Sequence, residues 1–104
     1  MPLYMDVHKG FEGLTAEAVA GAHQEDLGVQ NKHGVKYLQY WFNEANGTIF
    51  CLCEAPSKEA ADKVHREAHG LVADEVVEVI EGSLPSIPLL AALQPNHKAV
   101  TPKV

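Results

Sequence analysis

The chain has 104 residues, of which 46% are hydrophobic and 21% charged; that is enough for one globular domain and too few for two. Its formal net charge of −6 disfavours a nucleic-acid partner, because phosphate-backbone binders present a basic face. No apolar run approaches the ~18–20 residues of a membrane span, and Met1-Pro2-Leu3-Tyr4 has neither the basic stretch nor the apolar core of a secretory signal. A cytoplasmic protein with no membrane partner is therefore expected.

Residues 3–9 alternate, with Leu3, Met5 and Val7 on one side and Tyr4, Asp6 and His8 on the other. This period of two predicts a strand. Thr15 is a good N-cap and Glu17 suits the first turn of a helix that runs to about Lys32 and stops at Gly34. Its apolar stripe is Ala16, Val19, Ala20, His23 and Leu27. Two strands follow, at 35–44 and 48–54, joined by Asn46-Gly47. That dipeptide predicts a type I′ hairpin turn with Phe42 opposite Cys51, Tyr40 opposite Cys53, Trp41 opposite Leu52 and Gln39 opposite Glu54. Ser57, just after Pro56, caps a second helix that ends near His69 and Gly70, with Ala60, Ala61, Val64 and Ala68 facing inward. Residues 75–81 read as a fourth strand.

The order of elements predicts an α+β ferredoxin-like βαββαβ sandwich over residues 1–82, with strand order 4-1-3-2. Residues 83–104 hold four of the six prolines and read as a Pro-rich tail, in which Ile87, Leu89, Leu90 and Leu93 have the spacing of one or two short amphipathic turns.

Two helices cover one face of a four-stranded sheet. The set Leu3, Met5, Val7, Leu38, Tyr40, Phe42, Cys51, Cys53, Val77 and Val79 is expected beneath them. The opposite face then carries Tyr4, Asp6, His8, Tyr37, Gln39, Trp41, Phe50, Leu52, Glu54, Val76, Glu78 and Ile80. Such a face is too apolar for water. A second copy of the sheet is the expected cover, giving a homodimeric α/β barrel whose cavity holds Asp6, His8, Gln39, Glu54 and Glu78.

Six histidines are many for this length. His65 and His69 stand at i and i+4, ~6 Å apart at Cβ on one helical face. That geometry chelates a borderline-soft divalent ion, although the spacing alone is common on solvated helices. In the βαββαβ fold the ends of the first strand and second helix share one rim, so His8 joins His65 and His69, with Asp6 one step inward. Asp6, His8, His65 and His69 are thus the candidate metal ligands, for nickel or else zinc or copper. His23 reads as a core residue, His33 as a helix-end partner of the dipole, and His97 belongs to the tail. Cys51 and Cys53 read as reduced, buried small hydrophobes rather than ligands.

The segments Tyr4-Met5-Asp6-Val7-His8, His33-Gly34-Val35, Tyr40-Trp41, Phe50-Cys51-Leu52, Glu54-Ala55-Pro56 and His65-Arg66-Glu67-Ala68-His69-Gly70 together resemble a family of small bacterial nickel-binding proteins. The resemblance covers roughly residues 1–82. It implies a ferredoxin-like fold, a homodimer with a central cavity and histidine-rich nickel sites, and it implies no reaction.

The leading expectation is a non-enzymatic nickel binder for sequestration or sensing. A second is a small dimeric α/β-barrel enzyme, monooxygenase- or isomerase-like, with Asp6, His8 and Glu54 as acid–base groups and Tyr37 and Trp41 holding a small hydrophobic substrate. A third is an interaction module whose cavity holds nothing.

Overall fold

The computed structural model of the protein describes residues 1–82; the tail, with His97 and its apolar residues, lies outside the described residues. The elements are β1 (Leu3–His8), α1 (Ala16–Val29), a 3-10 turn (Gln30–His33), β2 (Lys36–Asn43), β3 (Thr48–Glu54), α2 (Lys58–Ala68) and β4 (Glu75–Val79). The four strands form one sheet in the order β2-β3-β1-β4, all neighbours antiparallel. This is the expected ferredoxin-like arrangement, with both helices on one face.

The helix ends follow their local chemistry. The Thr15 hydroxyl accepts the Ala18 N–H at 3.2 Å, and the Ser57 hydroxyl accepts that of Ala60 at 3.2 Å. Each such cap is worth about 1 kcal/mol. Beneath the helices lies a core that includes Tyr4, Val19, Val35, Tyr37, Ile49, Cys53, Ala61 and Val64.

The hairpin departs from the expected register. Asn43 pairs with Thr48, so Phe42 faces Ile49, Tyr40 faces Cys51, Trp41 faces Phe50 and Gln39 faces Leu52. A type I′ turn requires positive φ at both Asn46 and Gly47. Only Gly47 has it, at +65°. The connection is instead a four-residue loop in which the Gly47 N–H reaches the Asn43 carbonyl at 3.0 Å and the Asn46 N–H reaches Asn43 Oδ1 at 3.0 Å. The slip is two residues, so Tyr40, Phe42, Cys51 and Cys53 still face the helices as expected.

Three strand faces are otherwise than expected. In β1, Tyr4, Asp6 and His8 are the buried residues under the helices, and Leu3, Met5 and Val7 lie on the open side. Pairing carries β4 with it: Val76 lies beside Asp6 and Glu78 beside Tyr4, beneath the helices, leaving Val77 and Val79 opposite. In β2, the register shifts between Tyr37 and Gln39. This bulge at Leu38 turns Tyr37 inward, to 5% exposure, while Gln39 and Trp41 stay outside.

The open face is rich in apolar side chains. Trp41, Phe50 and Val77 stand there, exposed by 47%, 37% and 48%. Gln39 and Glu54 share this face, but Asp6, His8 and Tyr37 do not. The acid–base set proposed for an enzyme is therefore split between the two sides of the sheet.

Candidate metal centre

The inner face of α2 brings His65 down onto the sheet. It follows Ala61 and Val64 on the buried stripe and is 1% exposed, unlike the histidine of a solvated helix. β1 supplies Asp6 and His8 from below, α1 supplies Asp26 from the side, and β2 supplies Tyr37. His69, at the C-cap of α2, completes the group.

His65 is the hub. Its Nε2 lies 2.6 Å from Asp6 Oδ2 and its Nδ1 lies 2.9 Å from Asp26 Oδ1. Each nitrogen faces a carboxylate, so each carries a proton and donates it. The Tyr37 hydroxyl donates to the same Asp6 Oδ2 at 2.7 Å and stands 2.9 Å from His65 Nε2. Leu71 N–H donates to His69 Nδ1 at 3.1 Å. That leaves the His69 proton on Nε2, which donates to Asp26 Oδ1 at 3.0 Å. The His8 ring meets the His65 ring edge-on, with centroids 4.8 Å apart.

The electrostatics follow from these partners. Burial alone pulls His65 toward the neutral form, but the hydrogen bonds and charges of Asp26 and Asp6 outweigh it and lift the imidazole to about 9. Burial, followed by repulsion from that imidazolium, drags His8 down to about 4, so His8 is neutral. Asp26 is buried, yet its bonds to His65 and His69 hold its carboxyl below the usual range. Burial and the Asp6 charge push the Tyr37 phenol far up. Asp6 Oδ1 is buried with no hydrogen-bond partner among the described residues.

A cavity of about 30 Å³ opens among these groups, lined by His8, His23, Asp26, Cys51, His65 and His69 together with apolar side chains. About 10–15 Å³ is enough for one water, so the space admits a small ion. Among the described residues, two sets of potential ligand atoms lie within 4.8 Å of one another: His8, Cys51 and His65, and Asp26, His65 and His69.

Asp6, His8, His65 and His69, singled out from the sequence, therefore meet around one ring, but under the helices and not in a cavity between sheets. Glu78 is two positions along from Val76, the residue beside Asp6. His23 lies against Tyr40, with ring centroids 4.7 Å apart, at the cavity wall. His33 bonds Glu67 at 2.7 Å and stays apart. Sequence reasoning missed Asp26 and placed Tyr37 on the opposite face of the sheet, whereas Cys51 is buried facing the helices as expected. A signal for Asp26 existed: it stands seven residues after Val19 on the inner stripe of α1, where an acid needs a cationic partner.

A model of the family described as "Nickel responsive protein SCO4226-like" matches residues 4–79. The chain is also similar to the crystal structure of SCO4226 from Streptomyces coelicolor A3(2), with a TM-score of 0.74 and 44% identity over 78% of this chain and 99% of that one. No curated protein matches the chain. The family match covers most of the chain, including all the residues of this cluster, and the protein belongs to the SCO4226-like nickel responsive family.

Proposed function

We propose that the protein binds Ni²⁺, or a similar divalent transition ion such as zinc or copper, through His8, His65 and His69 with carboxylate help from Asp6. The role is sequestration or sensing in the cytoplasm, not catalysis. One observation carries the reading. Three imidazoles line a cavity of ion size, and Asp6, bonded to His65 Nε2 at 2.6 Å, keeps a buried Oδ1 with no partner among the described residues. An orphaned buried carboxylate oxygen is costly, and a cation satisfies it.

The donor chemistry fits such an ion. Imidazole nitrogen and carboxylate oxygen suit nickel, zinc and copper. His8 is already in the neutral, ligating form. His65 must release a proton to ligate, and Asp26 is placed to neutralise what the cavity gains. The description of the family as nickel responsive supports nickel among these ions.

The same reading includes a homodimer formed through the open face of the sheet, where Trp41, Phe50 and Val77 stand exposed. Metal binding does not need that dimer, because every proposed ligand comes from one chain.

Calorimetric titration of tag-free, chelator-treated protein with Ni²⁺ tests the proposal. Saturable binding to the wild type is expected, weakened at least about tenfold by His69→Ala and by His8→Ala. Absence of any saturable heat in the folded wild-type protein would overturn it.

A further inference from the structure

Cys51 stands next to Asp6 across the β3–β1 ladder. Both point under the helices. The thiol is 7% exposed and free, it lines the cavity, and its sulfur lies within 4.8 Å of ring nitrogens of both His8 and His65. Cys53, two residues on, is fully buried opposite Tyr4 and Tyr37 and belongs to no such group.

We infer that Cys51 is a further, thiolate ligand of the bound ion, which adds sulfur beside the imidazoles of His8 and His65 and makes the site a mixed imidazole–sulfur centre. This rests on the metal-binding reading above and narrows it to a class of ion. Thiolate selects thiophilic late transition metals, Ni²⁺, Co²⁺, Zn²⁺ or Cu⁺, over Mg²⁺, Ca²⁺ and Mn²⁺, which prefer oxygen. On binding, Cys51 S–H gives its proton to solvent and the sulfur lone pair forms the metal bond. No electron changes hands.

In the absence of a cation, burial and the negative charges of Asp6 and Asp26 push the Cys51 thiol far up. A dication in the cavity offsets those same charges and makes the thiolate the stable form.

Cobalt(II) and nickel(II) serve as probes. Wild-type protein titrated with Co²⁺ is expected to develop a sulfur-to-metal charge-transfer band, and the nickel form to show a sulfur scatterer in its X-ray absorption spectrum. The second measurement needs no variant. Cys51→Ser is expected to lose the band and to weaken Ni²⁺ binding at least about tenfold, while Cys53→Ser keeps the band. Metal binding with only nitrogen and oxygen neighbours would overturn the role of Cys51 and leave the metal-binding reading intact. A band that survives in Cys51→Ser and vanishes in Cys53→Ser would overturn it equally. No binding of either ion would remove the metal-binding reading itself, and this inference with it.

Discussion

The imidazole of His65 and the carboxylate of Asp6 meet at 2.6 Å with side-chain exposures of 1% and 0%. A pair so far from water is held by its geometry and by Asp26 on the far nitrogen. Removing one member of such a group costs about 3–5 kcal/mol, because the remaining charge is left buried and uncompensated. His65→Leu is therefore expected to lower the metal-free unfolding free energy by several kcal/mol, measured by urea denaturation. A loss below about 1 kcal/mol would show that the carboxylates are not buried as described.

The two histidines give metal-free stability opposite dependences on pH. His65 is raised to about 9 from an ordinary 6.5. Its contribution is complete below about 6.5 and is lost as pH rises through 9. His8 is lowered to about 4 from 6.5. Its contribution is present above 6.5 and is lost as pH falls through 4. Urea midpoints across this range should fall on both flanks, and His8→Phe should flatten the acid one. A wild-type profile that is level from the acid to the alkaline side would contradict both assignments.

Because His65 carries an extra proton near neutral pH, nickel uptake through that ring must expel it. Calorimetry in buffers of different ionisation enthalpy should give apparent heats that vary with the buffer, corresponding to release of about one proton or more. Heats independent of buffer would mean that His65 keeps its proton and does not ligate.

Gly47 has φ +65°, and a Cβ there would lie 2.0 Å from the Phe11 carbonyl oxygen. The Phe11 N–H donates to the Gly47 carbonyl at 3.2 Å, so the segment after β1 is tied to the hairpin loop. Gly47→Ala combines backbone strain of about 1–3 kcal/mol with a backbone clash. It should destabilise the fold by at least about 2 kcal/mol, and a thermal melt unchanged from wild type would refute this.

The open face supplies the last prediction. Trp41 lies opposite Phe50 on the outer side of the hairpin. Placing a carboxylate there, as in Trp41→Glu, is expected to convert the proposed dimer to a monomer in sedimentation velocity while the proposed Ni²⁺ binding persists. A wild-type protein that sediments as a monomer would exclude the dimer and leave the metal site untouched.

The sequence carries the order of elements, the caps at Thr15 and Ser57 and the gathering of His8, His65 and His69 in plain form. These depend on local chemistry and on one topology rule. The side of the sheet they occupy is less legible. Leu3, Met5 and Val7 form the more apolar stripe of β1, and transfer free energy alone would bury it. Asp6 and His8 go inward instead because Asp26 and His65 wait on the helices, and a network pairs what a strand pattern sees as single polar residues. Tyr37 was hidden for another reason. A bulge is one residue of extra backbone, and nothing in Tyr37-Leu38-Gln39 marks it. Cys51 has the appearance of any small core residue until its neighbours across the ladder are known.

Strand β1 is one extended backbone with two clients. Asp6 and His8 hang from it toward His65, and Met5 and Val7 hang from it toward the outer apolar surface, each a single peptide unit from the next. A displacement of the backbone on one side is therefore delivered to the other with no intervening layer to absorb it. Repacking either surface by mutagenesis will be felt through the thickness of a single sheet.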